Sequence, residues 1–463
     1  MLLLLLLLLT CTTLYFFHDR NVRSKASYKL PPGPSPLPII GNLHQLGKNP
    51  HHFSAILAKI HGPIMTLKLG QLTTIVISSA EMAKIVLQNY DQFLSNRTVP
   101  EAVRVHNHHV HSIAFMPITP LWRFLRKICN NQLFANKTIG ATQDLRRKKV
   151  QELLGKIHQS SQIGEADLVH SSGSASRFKD LVANINIESG KPNLADYFPA
   201  LRMVDPQRIR AKNSIYAGKL LDIFHDLIKQ RKKLIMKTGF DTNKDIKEMD
   251  KINTEHLMLT LFVAGTDTIT STLEWAMTEL LSNPNTMKRA KRELEETIGK
   301  GNQVEESDIA RLPYLEAILK ETFRLPPSVP FLIPRKADTD VEINGYTIPK
   351  GSQLLINVYA IGRDSNVWKN DTNLFSPERF LGLETHVKGR HFELIPFGAG
   401  RRICPALSYA MKILFLMLGS LLNCFDWKLE NDSKAEDIDK KQEFGISLRK
   451  AKPLRAIPIK VNN

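Results

Sequence analysis

A chain of 463 residues with 43% apolar residues is long enough for a large buried core, and its 63 Lys and Arg against 45 Asp and Glu give a formal charge of +18. The basic residues are scattered and no nucleic-acid recognition motif accompanies them, so no nucleic-acid partner is expected. Four cysteines, Cys11, Cys129, Cys404 and Cys424, make no disulfide framework at this length and fit a reducing, cytosol-facing compartment.

Residues 1–18 read as a membrane anchor. Met1–Phe17 is almost entirely apolar and spans ~26 Å as a helix, slightly less than a ~30 Å hydrocarbon core. Arg20, Arg23, Lys25 and Lys29 follow with only Asp19 opposed, which places the rest of the chain on the cytoplasmic face. A cleaved signal peptide is the rival reading, against which stands the lack of a small-residue cleavage site. Residues 19–40 form a basic, proline-rich hinge containing KLPPGPSPLPIIGN, an extended spacer. No linker or repeat divides residues 41–463, which read as one large, mainly α domain with a small antiparallel β-sheet.

Strand patterns occur at GPIMTLKLGQLTTIVIS, with a turn at Gly70, and at VEINGYTIPKGSQLLINVY, where Asn344-Gly345 is a strong hairpin turn. Between them, His106, His108, His109 and His111 crowd one segment. Without a Cys or carboxylate at metal-ligand spacing they read as polar loop residues rather than a metal site. WRFLRK puts Trp122 and Arg126 one helical turn apart, while Arg123 and Lys127 supply a basic face suited to an acidic protein partner. The clusters Arg146-Arg147-Lys148-Lys149 and Arg231-Lys232-Lys233 read as solvated or facing anionic lipid.

Thr254–Ser282 holds no proline, is apolar on most faces and predicts one helix of ~43 Å. AGTDT, Ala264–Thr268, lies in its middle, and threonine hydroxyls that bond back to the preceding turn are expected to bend or open the helix there. In ETFR, Glu321 and Arg324 share a helix face and can pair. PERF, Pro377–Phe380, follows further on. The densest chemistry is FGAGRRICPA, Phe397–Ala406. Gly398 and Gly400 permit a tight turn, Arg402 offers a fork-shaped donor for a carboxylate, and Cys404 stands ahead of Pro405 and an apolar helix running to Leu422. A free thiol has a pKa of ~8.5, and the positive end of a helix favours its thiolate, the form that ligates metal.

With ETFR, PERF and AGTDT in this order, the Cys404 loop resembles that of the cytochrome P-450 family, and the chain is similar to plant microsomal members of the group containing the geraniol hydroxylases. The resemblance implies haem b with Cys404 as axial thiolate, the ligand type that favours O–O cleavage. It implies a buried network of Glu321, Arg324 and Arg379 bracing that loop, and haem contacts from Trp122, Arg126, Arg335, Phe397 and Arg402. It gives Asp267 and Thr268 the delivery of protons to the distal oxygen. It also implies a small apolar substrate such as a terpenoid, O2, electrons from an NADPH-cytochrome P-450 reductase, membrane lipid around the anchor, and residence in the endoplasmic reticulum membrane. Phe115, Phe262, Val329, Phe331 and Ile446 are the implied pocket residues. The chain departs from the pattern at Ala406 and Ile269. It is also a few tens of residues short, between Ala166 and Asp167, where a core helix is expected, and between Asp245 and Ile246. The alternative function is that of a haem-binding or inactive paralogue, or of an incomplete gene product lacking core helical segments.

Overall fold

The computed structural model describes residues 28–163, 174–238, 249–430 and 433–461. The anchor expected over 1–18, residues 19–27 of the hinge and both points where the chain is expected to fall short of the family pattern lie outside these residues.

The longer helices are α1 (Pro50–His61), α2 (Pro120–Ile128), α3 (Gln143–Ile163), α4 (Ser174–Gly190), α5 (Ile209–Thr238), α6 (Lys251–Ser282), α7 (Pro284–Ile298), α8 (Pro313–Arg324) and α9 (Leu407–Cys424). Four of them begin on proline, whose fixed φ and missing N–H suit a first turn. At α2 the Thr119 side chain also accepts the Trp122 N–H, a cap that fixes where Trp122 and Arg126 point.

The strands are β1 (Ile64–Leu69), β2 (Leu72–Ile77), β3 (Asn96–Arg97), β4 (Arg335–Lys336), β5 (Val341–Ile343), β6 (Tyr346–Ile348), β7 (Gln353–Ile356), β8 (Phe425–Leu429), β9 (Gln442–Glu443), β10 (Arg449–Lys450) and β11 (Ala456–Lys460). One sheet has the order β1-β2-β7-β4-β3, and β5–β6, β8–β11 and β9–β10 form separate pairs. Both turns read from sequence are present. Gly70 lies at φ 57°, and Asn344 and Gly345 at 52° and 75°, the left-handed pair that matches strand twist in a two-residue hairpin. All pairings are antiparallel except β2 with β7, which the intervening helices join by a long crossover.

α6 is a 32-residue helix starting three residues earlier than the apolar pattern suggests, because Asp250 caps it by accepting the Asn253 N–H at 2.7 Å. It is not opened at AGTDT. Thr268, Thr270 and Thr272 donate to the carbonyls of Ala264, Thr266 and Thr268 at 2.8, 2.8 and 2.7 Å, so each hydroxyl is satisfied without displacing the backbone ladder. Met277, Leu280, Leu294, Leu315, Ile318, Phe323, Leu414 and Leu418 join α6, α7, α8 and α9 into the largest core cluster. Among the described residues α9 alone is long and apolar enough to cross a membrane, and its packing against α6 and α8 marks it as a core helix.

Two readings of charge and polarity change. Arg146 is buried, pairs with Glu306 and donates to the Ile139 carbonyl at 2.6 Å, so it is neither solvated nor lipid-facing. The histidines form a short helix, His108–His111, against α6 rather than a loop: His108 Nδ1 lies 2.9 Å from His256 Nδ1, His111 Nδ1 lies 2.8 Å from Asn253 Oδ1, and the rings of His111 and His256 stack.

Candidate active site

Gly398 and Gly400 adopt φ of 72° and 69°, and the chain turns back so that the Cys404 N–H donates to the Phe397 carbonyl at 3.0 Å. A side chain at Gly400 would put its Cβ 2.2 Å from the Leu87 carbonyl oxygen and 2.7 Å from Asp91 Oδ1, so glycine is required where the loop docks. Phe397 packs edge-on to Phe323, with ring centroids 5.4 Å apart, tying the loop to α8. The cap of α9 is Ala406, so Pro405 precedes the helix instead of opening it. Burial pushes the Cys404 thiol up, while the Ala406 N–H and the Arg126 guanidinium act in the opposite direction. Arg126, half-buried on α2, is thus near enough to act on both Cys404 and Cys129.

Glu321 and Arg324 are fully buried and paired at 2.7 Å, and Arg379 Nε reaches Glu321 Oε1 at 2.9 Å. Arg324 also donates to the carbonyls of Gly362 at 2.6 Å and Thr372 at 2.7 Å, which fixes the irregular segment leading to the cysteine loop. A buried charged network of this kind specifies geometry more than it adds stability.

Arg335, Arg402 and a third guanidinium, Arg97, are all at least nine-tenths buried. Arg335 donates to Asp91 Oδ1 at 2.7 Å and to the Ala399 carbonyl at 2.9 Å. Arg402 donates to the carbonyls of Ser95, Ile113 and Met116, and its guanidinium lies 4.8 Å from the centre of the Trp122 ring. Trp122 itself donates to the Ile113 carbonyl at 3.0 Å. Arg97 donates to the carbonyls of Ala114 at 3.0 Å and Ile333 at 2.5 Å. Burial pushes the affinity of Arg97 for its proton well down, with Arg335 and Arg402 adding to the effect, and burial brings Arg402 to about 10. Of these three only Arg335 bonds Asp91, whose other oxygen lies 3.4 Å from the exposed Arg401, while Arg97 and Arg402 rest on main-chain carbonyls. Such an excess of buried positive charge suits an anionic ligand. Neither Arg97 nor Asp91 stands out in the sequence, because only the strand pairing brings them to the loop.

Asp267 is buried on α6, and its Oδ1 is paired with Arg449 of β10. Its Oδ2 is buried without a hydrogen-bond partner among the described residues. Thr268 is partly buried one residue on, and Gly265 has open space where a Cβ would stand. A cavity of about 360 Å³ reaches Arg97 and is lined by Phe115, Leu332, Phe331, Phe444 and Ile446. Val329 and Phe262 lie outside that lining, Phe262 packing instead on Phe178 and Phe224.

A partly buried cysteine in a glycine turn just before an apolar helix, beside a cationic cluster, in a chain whose longest helix carries a buried acid next to an alcohol, suits a haem-thiolate oxygenase. The residues present fit the group: a thiol for iron, and more buried cation than the protein's own carboxylate balances. The chain belongs to the cytochrome P450 family, whose pattern matches residues 31–172 and 168–455, and it is a monooxygenase of that family. The match falls into two pieces that overlap at 168–172. It is 50% identical to a geraniol 8-hydroxylase of Catharanthus roseus over 94% of this chain and 95% of the relative. It is 49% identical to a geraniol 8-hydroxylase of Swertia mussotii over 96% of each chain. With a drimenol monooxygenase of Persicaria hydropiper it shares 48% over 94% of this chain and 93% of the relative. Membership implies haem held by a cysteine thiolate, a redox partner and a substrate oxidised with O2.

Proposed function

We propose that this protein hydroxylates a small apolar terpenoid, taking electrons from an NADPH-dependent reductase at the cytoplasmic face of the endoplasmic reticulum. The setting of Cys404 carries the reading. Haem, when bound, supplies oxygen cleavage and insertion. Cys404 would hold its iron, Arg97, Arg335, Arg402, Arg126 and Trp122 its acidic edge, and Phe397 the loop beneath it. Asp267 would carry protons inward from solvent, and the Thr268 hydroxyl would hold one at the reaction centre. Phe115, Phe331 and Ile446 would exclude water and select substrate shape, and the names of the relatives support a terpenoid. Residues 1–18 would anchor the chain, 19–40 form the spacer and 41–463 the catalytic domain. Arg123 and Lys127, both exposed on α2, suit docking of an acidic reductase.

The test is a reduced carbon monoxide difference spectrum, followed by incubation with geraniol, NADPH and reductase. A red-shifted Soret band with product supports the proposal, and absence of the band overturns it. The break in the family match favours a second reading, a haem-binding paralogue without turnover. That reading expects the band with no product from any terpenoid offered.

A further inference from the structure

We propose that Arg449 is a positioning residue for the proton relay, aiming the Asp267 carboxylate. This rests on the relay reading of Asp267 and Thr268. With Oδ1 held by Arg449, the carboxylate has one fixed oxygen, while Oδ2 remains as a buried acceptor. A buried carboxylate with an unpartnered oxygen is costly unless a counter-charge lies against it, and the Arg449 guanidinium is that counter-charge. The reach of Arg449 is itself fixed. The preceding Leu448 carbonyl accepts Ser271 Oγ at 2.6 Å and Trp275 Nε1 at 3.1 Å, and the Leu448 N–H donates to the Ser328 carbonyl at 2.8 Å. Ser271 stands one helical turn beyond Asp267, so β10 is fastened to α6 beside the acid it aims. The other charged groups nearby point elsewhere. Lys450 Nζ lies over the Trp275 ring at 5.2 Å and donates to the Asp439 carbonyl, and Glu274, close enough to feel Arg449, Lys450 and Lys179 of α4, accepts the Leu454 N–H at 2.8 Å. The same hairpin carries Phe444 and Ile446, so part of the cavity wall and the aim of Asp267 belong to one short element.

The full-length chain with reductase and geraniol serves as the test, in Arg449→Gln, Arg449→Lys, Asp267→Asn and the double variant Asp267→Asn/Arg449→Gln. Arg449→Gln is expected to keep the carbon monoxide band and slow turnover by on the order of tenfold, the scale of a small misplacement of a reacting group. The double variant should be no slower than Asp267→Asn, since both changes disable one unit. Infrared difference spectra of the ferric protein give a readout independent of turnover. Arg449→Gln should displace the Asp267 carboxyl bands, bands that the double variant lacks, and Arg449→Lys, keeping the charge, should displace them less. If Arg449→Gln does not hold haem, Arg449→Lys decides, because a lysine point charge cannot reproduce the guanidinium geometry and turnover should still fall. A slow Asp267→Asn beside an unimpaired Arg449→Gln, or unimpaired Arg449→Lys in that case, overturns the role of Arg449. Unimpaired turnover in Asp267→Asn overturns the relay itself, and with it this proposal.

Discussion

Arg97 and Arg335 stand opposite one another in the β3–β4 register, two buried guanidiniums on neighbouring strands beside the loop that carries the cysteine. Like charges in direct cross-strand positions are destabilising. The pairing is tolerated because Asp91 and several main-chain carbonyls take up their donors.

Asp91→Asn isolates the consequence. Removing one partner of a buried ion pair costs about 3–5 kcal/mol. An anionic cofactor edge on the same arginines offsets part of that cost. The unfolding midpoint of the haem-free variant should therefore drop further than that of the haem-loaded one, and equal drops would show that the arginines do not serve haem.

Cys404→Ala should abolish the red-shifted carbon monoxide band and all turnover, because neither Cys129 nor Cys424 lies in a glycine loop at a helix start. Persistence of the band in that variant would assign the ligand elsewhere.

Thr268→Ala removes a hydroxyl whose structural bond is only to its own helix, at 2.8 Å to the Ala264 carbonyl. Folding and haem content should hardly change. Positioned proton transfer contributes 10²- to 10⁴-fold, so electrons should instead be diverted to hydrogen peroxide, measured as peroxide released per NADPH consumed. An unchanged ratio would reduce Thr268 to a helix residue. Asp267→Asn should slow the whole cycle without that diversion.

Acid should unfold this protein through its histidines. Burial lowers His51 and His108 to about 3 and His256 to about 4, against an ordinary 6.5. The fold thus holds each ring neutral while the unfolded chain takes up protons, so their stabilisation is complete above pH 6.5 and lost as pH falls toward 3 to 4. Each fully engaged group steepens the decline by about 1.4 kcal/mol per pH unit. Chemical denaturation between pH 7 and 4 measures it, and His108→Gln should show a shallower slope.

Local chemistry was legible where it sits in consecutive residues. The glycine turns at Gly70, Asn344-Gly345 and the Cys404 loop declare themselves by residue type, as does the Glu321–Arg324 pair by helical spacing. What escaped depends on distance along the chain. Arg97 and Asp91 reach the loop only through the docking of the Leu87–Asp91 turn and the β3–β4 pairing, and Arg449 reaches Asp267 only through the last hairpin. The expected opening of α6 failed for another reason, since back-bonding can satisfy a threonine with the helix left intact. The histidine segment was misjudged because its partners, Asn253 and His256, lie on α6.

The glycine loop closes on the Leu87–Asp91 turn, with contacts such as Arg401 N–H to Asp91 Oδ2 at 3.1 Å spanning 310 residues. A ribosome adding some 5–20 residues per second has long since released that turn when the cysteine is made. Closing so long a loop is also intrinsically slow. The cofactor site therefore cannot close until the Cys404 loop has been made, and until then the nascent chain carries its cationic pocket half built.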